Sequence, residues 1–196
     1  MTVGVAFIIS VVIAVWVDDF LLANFVPPGD AEALARDVAD KPGLLWMAAA
    51  GYLSILFLDC LIGLALFIVF KPASSGLAFA TSSFRLVYAA VVALGVIAMA
   101  LGGIDAYGYS AVKNVGYGFF IMHLLTLGAA VLKADYIPNP LGVALIVGAF
   151  SYTVFFVDVS LPEPLMVLAM LIMALAELAL SVWLIVNRRR MPGGTR

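Results

Sequence analysis

The stretch that decides the fold of this chain is residues 117–147, YGFFIMHLLTLGAAVLKADYIPNPLGVALIV. Two apolar runs meet there at the turn Tyr136-Ile137-Pro138, and the first run carries His123, the single histidine of the 196-residue chain. Because proline lacks the amide hydrogen that an interior helical position requires, the turn is predicted to separate two helices. A histidine inside an apolar helix needs polar partners, and other helices have to supply them.

The composition indicates an integral membrane protein. Hydrophobic residues make up 65% of the chain and charged residues 11%, with a mean hydropathy of +1.18. Soluble domains average about 45–50% apolar and about 25% charged residues. The net charge of −2 and the lack of a basic patch before the last ten residues argue against a nucleic-acid partner. With one cysteine, Cys60, and one histidine, neither a disulfide nor a Cys/His zinc site is expected, and no metal or cofactor is predicted.

Six apolar segments reach the length of about 20 residues that a bilayer-spanning helix needs. They cover residues 3–25, 44–70, 77–101, 114–132, 141–157 and 165–186. The predicted fold is therefore an all-α, polytopic bundle of six transmembrane helices in one domain, residues 1–187, followed by a short basic tail, residues 188–196. After the first span, Asp30 is expected to cap a short interfacial helix over residues 31–39. The Tyr- and Gly-rich residues 104–113 are predicted to form a connector.

The distribution of lysine and arginine predicts the orientation, because basic loops stay in the cytoplasm. The even-numbered loops carry Lys71 and Lys133, and the tail carries Arg188, Arg189 and Arg190, whereas the odd-numbered loops are acidic overall. Both termini are therefore expected in the cytoplasm and the interfacial helix outside the cell.

Four ionisable residues lie within the predicted spans: Asp59, Arg85, His123 and Glu177. A charged residue at the centre of a span costs about 2.5–3.5 kcal/mol or more and usually faces the bundle interior. At a rise of about 1.5 Å per residue, all four lie at similar depths on four different helices. They are predicted to form one buried ionic cluster, and four residues at helical spacing are predicted to surround it: Tyr52, Tyr88, Thr126 and Ser181.

Two interpretations of this cluster stay open. In the first, it is a structural ion-pair core in which Arg85 binds Asp59 or Glu177 bidentately and His123 donates to the remaining carboxylate. In the second, two carboxylates, one permanent cation and one imidazole hold an exchangeable proton. Such a proton would suit proton-coupled transport, an acid-catalysed reaction on a lipid, or ligand sensing.

Several stretches of the chain resemble the bacterial six-span membrane family catalogued as domain of unknown function 4386. The resemblance implies the six-helix architecture and a bacterial cytoplasmic (inner) membrane, and it implies no activity. It rests on Val26-Pro27-Pro28-Gly29-Asp30-Ala31, Asp59-Cys60-Leu61-Ile62-Gly63, Phe84-Arg85-Leu86-Val87, His123-Leu124-Leu125-Thr126-Leu127-Gly128 with Tyr136-Ile137-Pro138, and Ala176-Glu177-Leu178.

Three functions are compatible with these observations. The leading hypothesis is a non-enzymatic membrane protein whose buried cluster binds a small or lipid-like ligand or couples a proton. The second is an accessory or structural subunit of a larger membrane complex. The third is a lipid- or isoprenoid-modifying enzyme with Glu177 as general acid and His123 as its partner. The expected partners are accordingly membrane lipids, a lipid-like or small-molecule ligand, or another membrane protein.

Overall fold

The computed structural model describes residues 2–17, 40, 42–101, 106–156 and 162–187. Within these residues there are six helices and no strand, so the predicted all-α class is confirmed. The predicted interfacial helix at residues 31–39 and the basic tail at residues 188–196 lie outside the described residues. The helices are α1 (Thr2–Val15), α2 (Pro42–Phe70), α3 (Ser75–Ala100), α4 (Ala106–Lys133), α5 (Asn139–Phe156) and α6 (Glu163–Val186).

Local signals define the helix ends that border the short turns. The Ser74 hydroxyl accepts a hydrogen bond from the backbone N–H of Leu77 at 3.4 Å and caps α3. At the other turn, α4 ends at Lys133 and α5 begins at Asn139, with Pro138 between them. Pro138 precedes α5 and Pro140 lies in its first turn, where the N–H groups have no intrahelical partner.

The predicted connector at residues 104–113 is wrong over residues 106–113, which form the first two turns of α4. Tyr109 packs as part of the helix rather than lying in a loop. The ring of Tyr109 contacts that of Tyr52 edge-on at 6.1 Å between centroids, and Lys113 Nζ lies 5.8 Å from the Tyr52 ring centre. Packing against α2 therefore outweighs the low helix propensity of the local glycine.

Four helices are long and apolar enough to cross a membrane. Their apolar stretches are Ala49–Phe70, Ser75–Met99, Ala111–Lys133 and Pro164–Val186. The described parts of α1 and α5 provide shorter apolar helices, Val3–Ile13 and Asn139–Val154. The chain is thus an all-α, polytopic membrane-like protein, although two of the six predicted spans are short in their described parts.

The six helices form a closed ring of contacts. Each helix packs against the next along the chain, and α6 packs against α1. Gly4 of α1 lies directly against the backbone of Ser181 in α6, which places the start of α1 beside the end of α6. Lys71, in the α2–α3 turn, and Lys133, the last residue of α4, lie at this same end of the bundle, which we call the lysine end.

Tyr136 ties the α4–α5 turn to α2 at the lysine end. Its hydroxyl donates to the backbone carbonyl of Val69 at 2.6 Å, one of the last carbonyls of α2, which have no partner within the helix. Partial burial raises the pKa of the Tyr136 phenol above its ordinary value of 10.0.

We expect Tyr136→Phe to lower the free energy of unfolding by about 1 kcal/mol, the usual net value of one hydrogen bond. The measurement is the melting temperature in detergent across a pH series. The pKa of the phenol is higher in the folded state than in the unfolded state. Its contribution to stability is therefore fully present below the unfolded-state pKa and is lost as pH rises through the folded-state pKa. The difference between wild type and variant should therefore be constant at neutral pH and shrink in strong alkali. An unchanged melting temperature at neutral pH would contradict the hydrogen bond from Tyr136 to Val69.

Candidate functional site

The structure brings Asp59, Arg85, His123 and Glu177 together inside the ring. Counted from the helix ends at the lysine end, they lie 11, 10, 10 and 9 residues deep, respectively. At about 1.5 Å per residue these positions correspond to depths of about 13–17 Å. All four side chains are buried, and His123 has no exposed surface. Four helices thus deliver their ionisable groups to one level of the bundle.

Arg85 is the centre of the cluster. Its Nε and Nη2 atoms both donate to Oδ1 of Asp59, at 3.2 and 2.5 Å, and its Nη1 atom donates to Oε1 of Glu177 at 3.3 Å. The guanidinium therefore binds both carboxylates, where the sequence predicted pairing with one or the other. The bond to Asp59 joins the adjacent helices α2 and α3, whereas the longer bond to Glu177 reaches across to α6.

The hydrogen bonds of His123 define its tautomer. Nε2 lies 3.1 Å from Nη1 of Arg85, and Nδ1 lies 2.9 Å from the backbone carbonyl oxygen of Thr81. A guanidinium can only donate, so Nε2 has to accept, and Nδ1 carries the hydrogen that is donated to Thr81. His123 is therefore neutral in this arrangement. The predicted hydrogen bond from His123 to a carboxylate is wrong, because Arg85 occupies both carboxylates and also the Nε2 atom of the imidazole.

Aromatic rings enclose the guanidinium and connect the remaining two helices to the site. The Phe7 ring of α1 and the Phe120 ring of α4 have their centres 5.9 and 5.4 Å from Cζ of Arg85, respectively. Phe120 also lies 5.5 Å from the His123 ring and 5.0 Å from the Tyr152 ring of α5. Cation–π contacts of this kind stabilise a charge that has been removed from water.

Three of the four predicted surrounding residues lie close to the cluster. Thr126 accepts a hydrogen bond from the hydroxyl of Thr81, the residue that holds His123, at 3.0 Å. Ser181 is buried one turn after Glu177, and Tyr88 packs against Phe120 with 4.8 Å between ring centres.

Tyr52 occupies a different place from the one predicted. It belongs to a second apolar cluster, with Val92, Val96 and Tyr109, towards the end of the bundle opposite the lysine end. It lies seven residues before Asp59 on α2, about 10 Å away along the axis. A shared helix face therefore did not bring the two side chains to the same level.

Phe7, Phe120 and Tyr152 are residues of the site that were not predicted, whereas Thr81 was expected only as a neighbour of Arg85 on the same helix face. Thr81 precedes Arg85 by four residues, and Phe120 precedes His123 by three, so each lies one helical turn from a predicted residue. That spacing is the available sequence signal. It cannot show that Thr81 acts through its backbone carbonyl, since every residue carries one.

A small cavity borders the cluster on the side of Glu177. Its volume is about 20 Å³, and its polar lining consists of Arg85, Glu177 and Ser181. A cavity needs about 10–15 Å³ to hold one water molecule, whereas sites for organic ligands measure about 300–1,000 Å³. The space beside Glu177 therefore suits a water molecule and is too small for an organic ligand.

The charges of the cluster do not balance if both carboxylates are ionised. One guanidinium faces two carboxylates, and the geometry makes His123 neutral. An uncompensated charge buried in a protein costs several kcal/mol, so the arrangement favours a proton on one carboxyl group. Within the described residues, no group of three or more His, Cys, Asp or Glu side chains is arranged to hold a metal ion.

Comparison with known proteins identifies the family. Residues 2–187 match the family model described as "Domain of unknown function (DUF4386)". A protein of Archaeoglobus fulgidus, described as "Uncharacterized protein", is 30% identical over 104 residues, which are 53% of this chain and 62% of that protein. The match thus spans less than two thirds of that relative's length. No solved structure matches the chain significantly. Because the family match extends from α1 to the end of α6, the chain belongs to the DUF4386 family.

Proposed function

We propose that this protein is a non-enzymatic membrane protein that couples the uptake and release of one proton in its buried cluster to a conformational step of the helix bundle. The proposal rests on the charges of the cluster. Two carboxylates face one guanidinium and a neutral histidine, so one negative charge has no compensating cation. Removing that excess charge requires one proton, and this proton can exchange where water reaches the carboxyl group.

Glu177 is the carboxyl group that suits this role. Asp59 accepts two hydrogen bonds from Arg85, whereas Glu177 accepts one long bond and borders the water-sized cavity. Short, charge-assisted bonds hold a carboxylate ionised most strongly. Asp59 is therefore assigned as the permanent counter-ion and Glu177 as the group that gains and loses the proton.

The conformational step is assigned to α6. The bond from Arg85 to Glu177 connects α6 to α3 across the ring, and α6 is the least buried of the four long apolar stretches. A proton on Glu177 removes the charge that holds this bond, so α6 is held less firmly against the bundle. Movement of one helix against the others is a general way for membrane proteins to open a path or report a signal.

Infrared spectroscopy of the purified protein tests the proton assignment. We expect wild type to show the carbonyl-stretching band of a protonated carboxyl group, and this band should disappear as pH is raised. Either Glu177→Gln or Asp59→Asn should abolish the band, because Arg85 then balances the single remaining carboxylate. Labelling the side-chain carboxyl of glutamate with carbon-13 should shift the wild-type band, whereas the same label on aspartate should leave it in place. Asp135→Asn, at an exposed turn position, is the matched control and should leave the buried band unchanged. Absence of the band at every pH, or a band that shifts with labelled aspartate and not with labelled glutamate, would overturn the proposal.

A structural role, as in an accessory subunit of a larger complex, is the second candidate. It is supported by the hydrogen bonds of the cluster, since Asp59, Arg85, His123 and Glu177 each have at least one partner and the network joins four helices. A fully satisfied network can serve stability alone. Under this candidate, Glu177→Gln lowers the melting temperature yet still rescues a deletion strain. Under proton coupling, Glu177→Gln melts near wild type and fails to rescue.

The enzymatic alternative, with Glu177 as acid and His123 as its partner, has less support from the geometry. The cavity beside Glu177 has room for water and not for an acyl or isoprenoid chain, and both nitrogens of His123 already have hydrogen-bond partners. A membrane lipid whose mass changes in a strain that lacks the gene would support this alternative.

We further propose that the protein lies in a bacterial cytoplasmic membrane with both termini in the cytoplasm. The support is that Lys71, Lys133, the start of α1 and the end of α6 lie at one end of the bundle, and basic residues stay on the cytoplasmic side. Alkaline phosphatase fused after the last residue should be inactive in cells, and an active fusion would reverse the orientation.

A further inference from the structure

A second feature lies on the outer surface of the bundle, away from the ionic cluster. A groove of about 660 Å³ runs between the first turn of α5 and the C-terminal half of α6, and its wall is almost entirely apolar. Several of its lining side chains, among them Leu175, Leu178 and Val182, are exposed and thus face the membrane.

The shape of the groove limits what can fill it. Along α6 it extends from Leu175 to Asn187, which corresponds to about 18 Å at the helical rise. Its volume divided by this length gives a mean cross-section of about 37 Å². A helix with its side chains is about 10–12 Å in diameter, which corresponds to a cross-section of roughly 80–110 Å². The groove therefore has the width of one extended hydrocarbon chain rather than that of a whole helix.

One end of the groove is polar and lies where the chain turns basic. Trp183 and Asn187 line the groove at the lysine end, and tryptophan is enriched at the level of the lipid headgroups. Directly after Asn187 the sequence continues with Arg188, Arg189 and Arg190. A cluster of basic residues just beyond a span attracts anionic lipid headgroups by about 1 kcal/mol, or fivefold, per residue.

We propose that this groove is a binding site for an anionic phospholipid. One acyl chain lies along the apolar wall between α5 and α6, and the phosphate-bearing headgroup lies at the lysine end, at the level of Trp183 and Asn187. The site is separate from the proton-coupling cluster, although both use the same turn of α6. Leu178 and Ala179 line the groove, while Glu177, Leu180 and Ser181 line the inner cavity.

Trp183 provides a direct probe, because bromine atoms on an acyl chain quench the fluorescence of a tryptophan that they contact. The chain has three tryptophans, and replacing Trp16 and Trp46 with phenylalanine leaves Trp183 alone. This variant is reconstituted in phosphatidylcholine vesicles that contain an equal mole fraction of either brominated phosphatidylglycerol or brominated phosphatidylcholine. We expect brominated phosphatidylglycerol to quench Trp183 more strongly at every mole fraction below saturation.

Two further variants make the result specific. Retaining Trp46 alone places the probe at an exposed position of α2 outside the groove, and the two brominated lipids should then quench equally. Replacing Arg188, Arg189 and Arg190 with glutamine should lower the preference for phosphatidylglycerol at Trp183 by about fivefold for each arginine that reaches the headgroup.

Either of two results would overturn the site. Equal quenching of Trp183 by the two lipids would show ordinary bulk lipid in the groove. Quenching by neither lipid, with Trp46 still quenched, would show that protein covers the groove, either a second copy of the chain or a partner subunit. A melting temperature within a few degrees of wild type establishes that each variant is folded.

Discussion

Arg85→Gln is expected to lower the free energy of unfolding by about 3–5 kcal/mol, the usual consequence of removing one partner from a buried ion pair. The substitution removes three hydrogen bonds to carboxylate oxygens and leaves Asp59 and Glu177 facing each other without a cation. It also removes the donor that His123 Nε2 accepts from. For a chain of this length the loss corresponds to a melting temperature lower by about 10 °C in detergent.

The companion variants separate the effect of losing the positive charge from the effect of losing the hydrogen-bond geometry of the guanidinium. Adding Asp59→Asn to Arg85→Gln should recover part of the stability, because one unpaired buried charge is then removed. Arg85→Lys should fall between wild type and Arg85→Gln, since an ammonium group keeps the charge but cannot bind Asp59, Glu177 and His123 at once. Lys71→Gln, at the exposed α2–α3 turn, is the control and should change stability by no more than about 1 kcal/mol, the value of its cation–π contact with Phe67. An Arg85 variant as stable as this control would refute the central role of the guanidinium.

Gly128→Ala has the second largest expected effect, because α4 and α5 cross in contact at this residue. A Cβ atom on Gly128 would lie 2.8 Å from the carbonyl oxygen of Gly142 and 2.6 Å from Cγ1 of Ile146. The approach is mutual, since a Cβ atom on Gly142 would lie 2.8 Å from the carbonyl oxygen of Gly128. Backbone oxygens cannot rotate away, so the two helices have to separate. We expect a loss of about 1–3 kcal/mol, the usual range for overpacking.

The control for this prediction is Gly76→Ala in the first turn of α3, where a Cβ atom would meet nothing within 4 Å. Alanine in a helix is normally more favourable than glycine by about 0.5–1 kcal/mol, so Gly76→Ala should be neutral or stabilising. Thermal melting of both variants in the same detergent compares them directly. If Gly128→Ala also stabilises the protein, the close approach of α4 and α5 is wrong.

The convergence of the ionisable residues could be predicted because depth in a membrane follows from counting. The turns at Lys71-Pro72 and Tyr136-Ile137-Pro138 mark one end of the bundle, and each helical residue adds about 1.5 Å. Counting inward from these turns is enough to place Arg85 and His123 at one level. The same counting places Tyr52 about 10 Å from Asp59 along the axis of α2, so the prediction of Tyr52 beside the cluster failed because it relied on the shared helix face alone.

The direction in which each helix faces was much harder to predict. In a soluble protein the apolar face of a helix points inward, but in a membrane both the lipid-facing and the buried faces are apolar. Phe7 and Phe120 beside Arg85 are therefore not distinguishable in the sequence from phenylalanines that face lipid, such as Phe57 and Phe79, which are largely exposed.

The sequence by itself determined that the chain is an all-α membrane protein, where its short turns lie, and that four ionisable groups share one depth. These properties depend on composition, on proline and on residue counting, all of which are local. Only the tertiary structure decided that Arg85 binds both carboxylates, that His123 is a neutral acceptor held by Thr81, and that the cavity beside Glu177 has the size of a water molecule. Those properties depend on the rotation of each helix about its own axis and on which atoms then come within hydrogen-bond distance, and no local pattern contains that information.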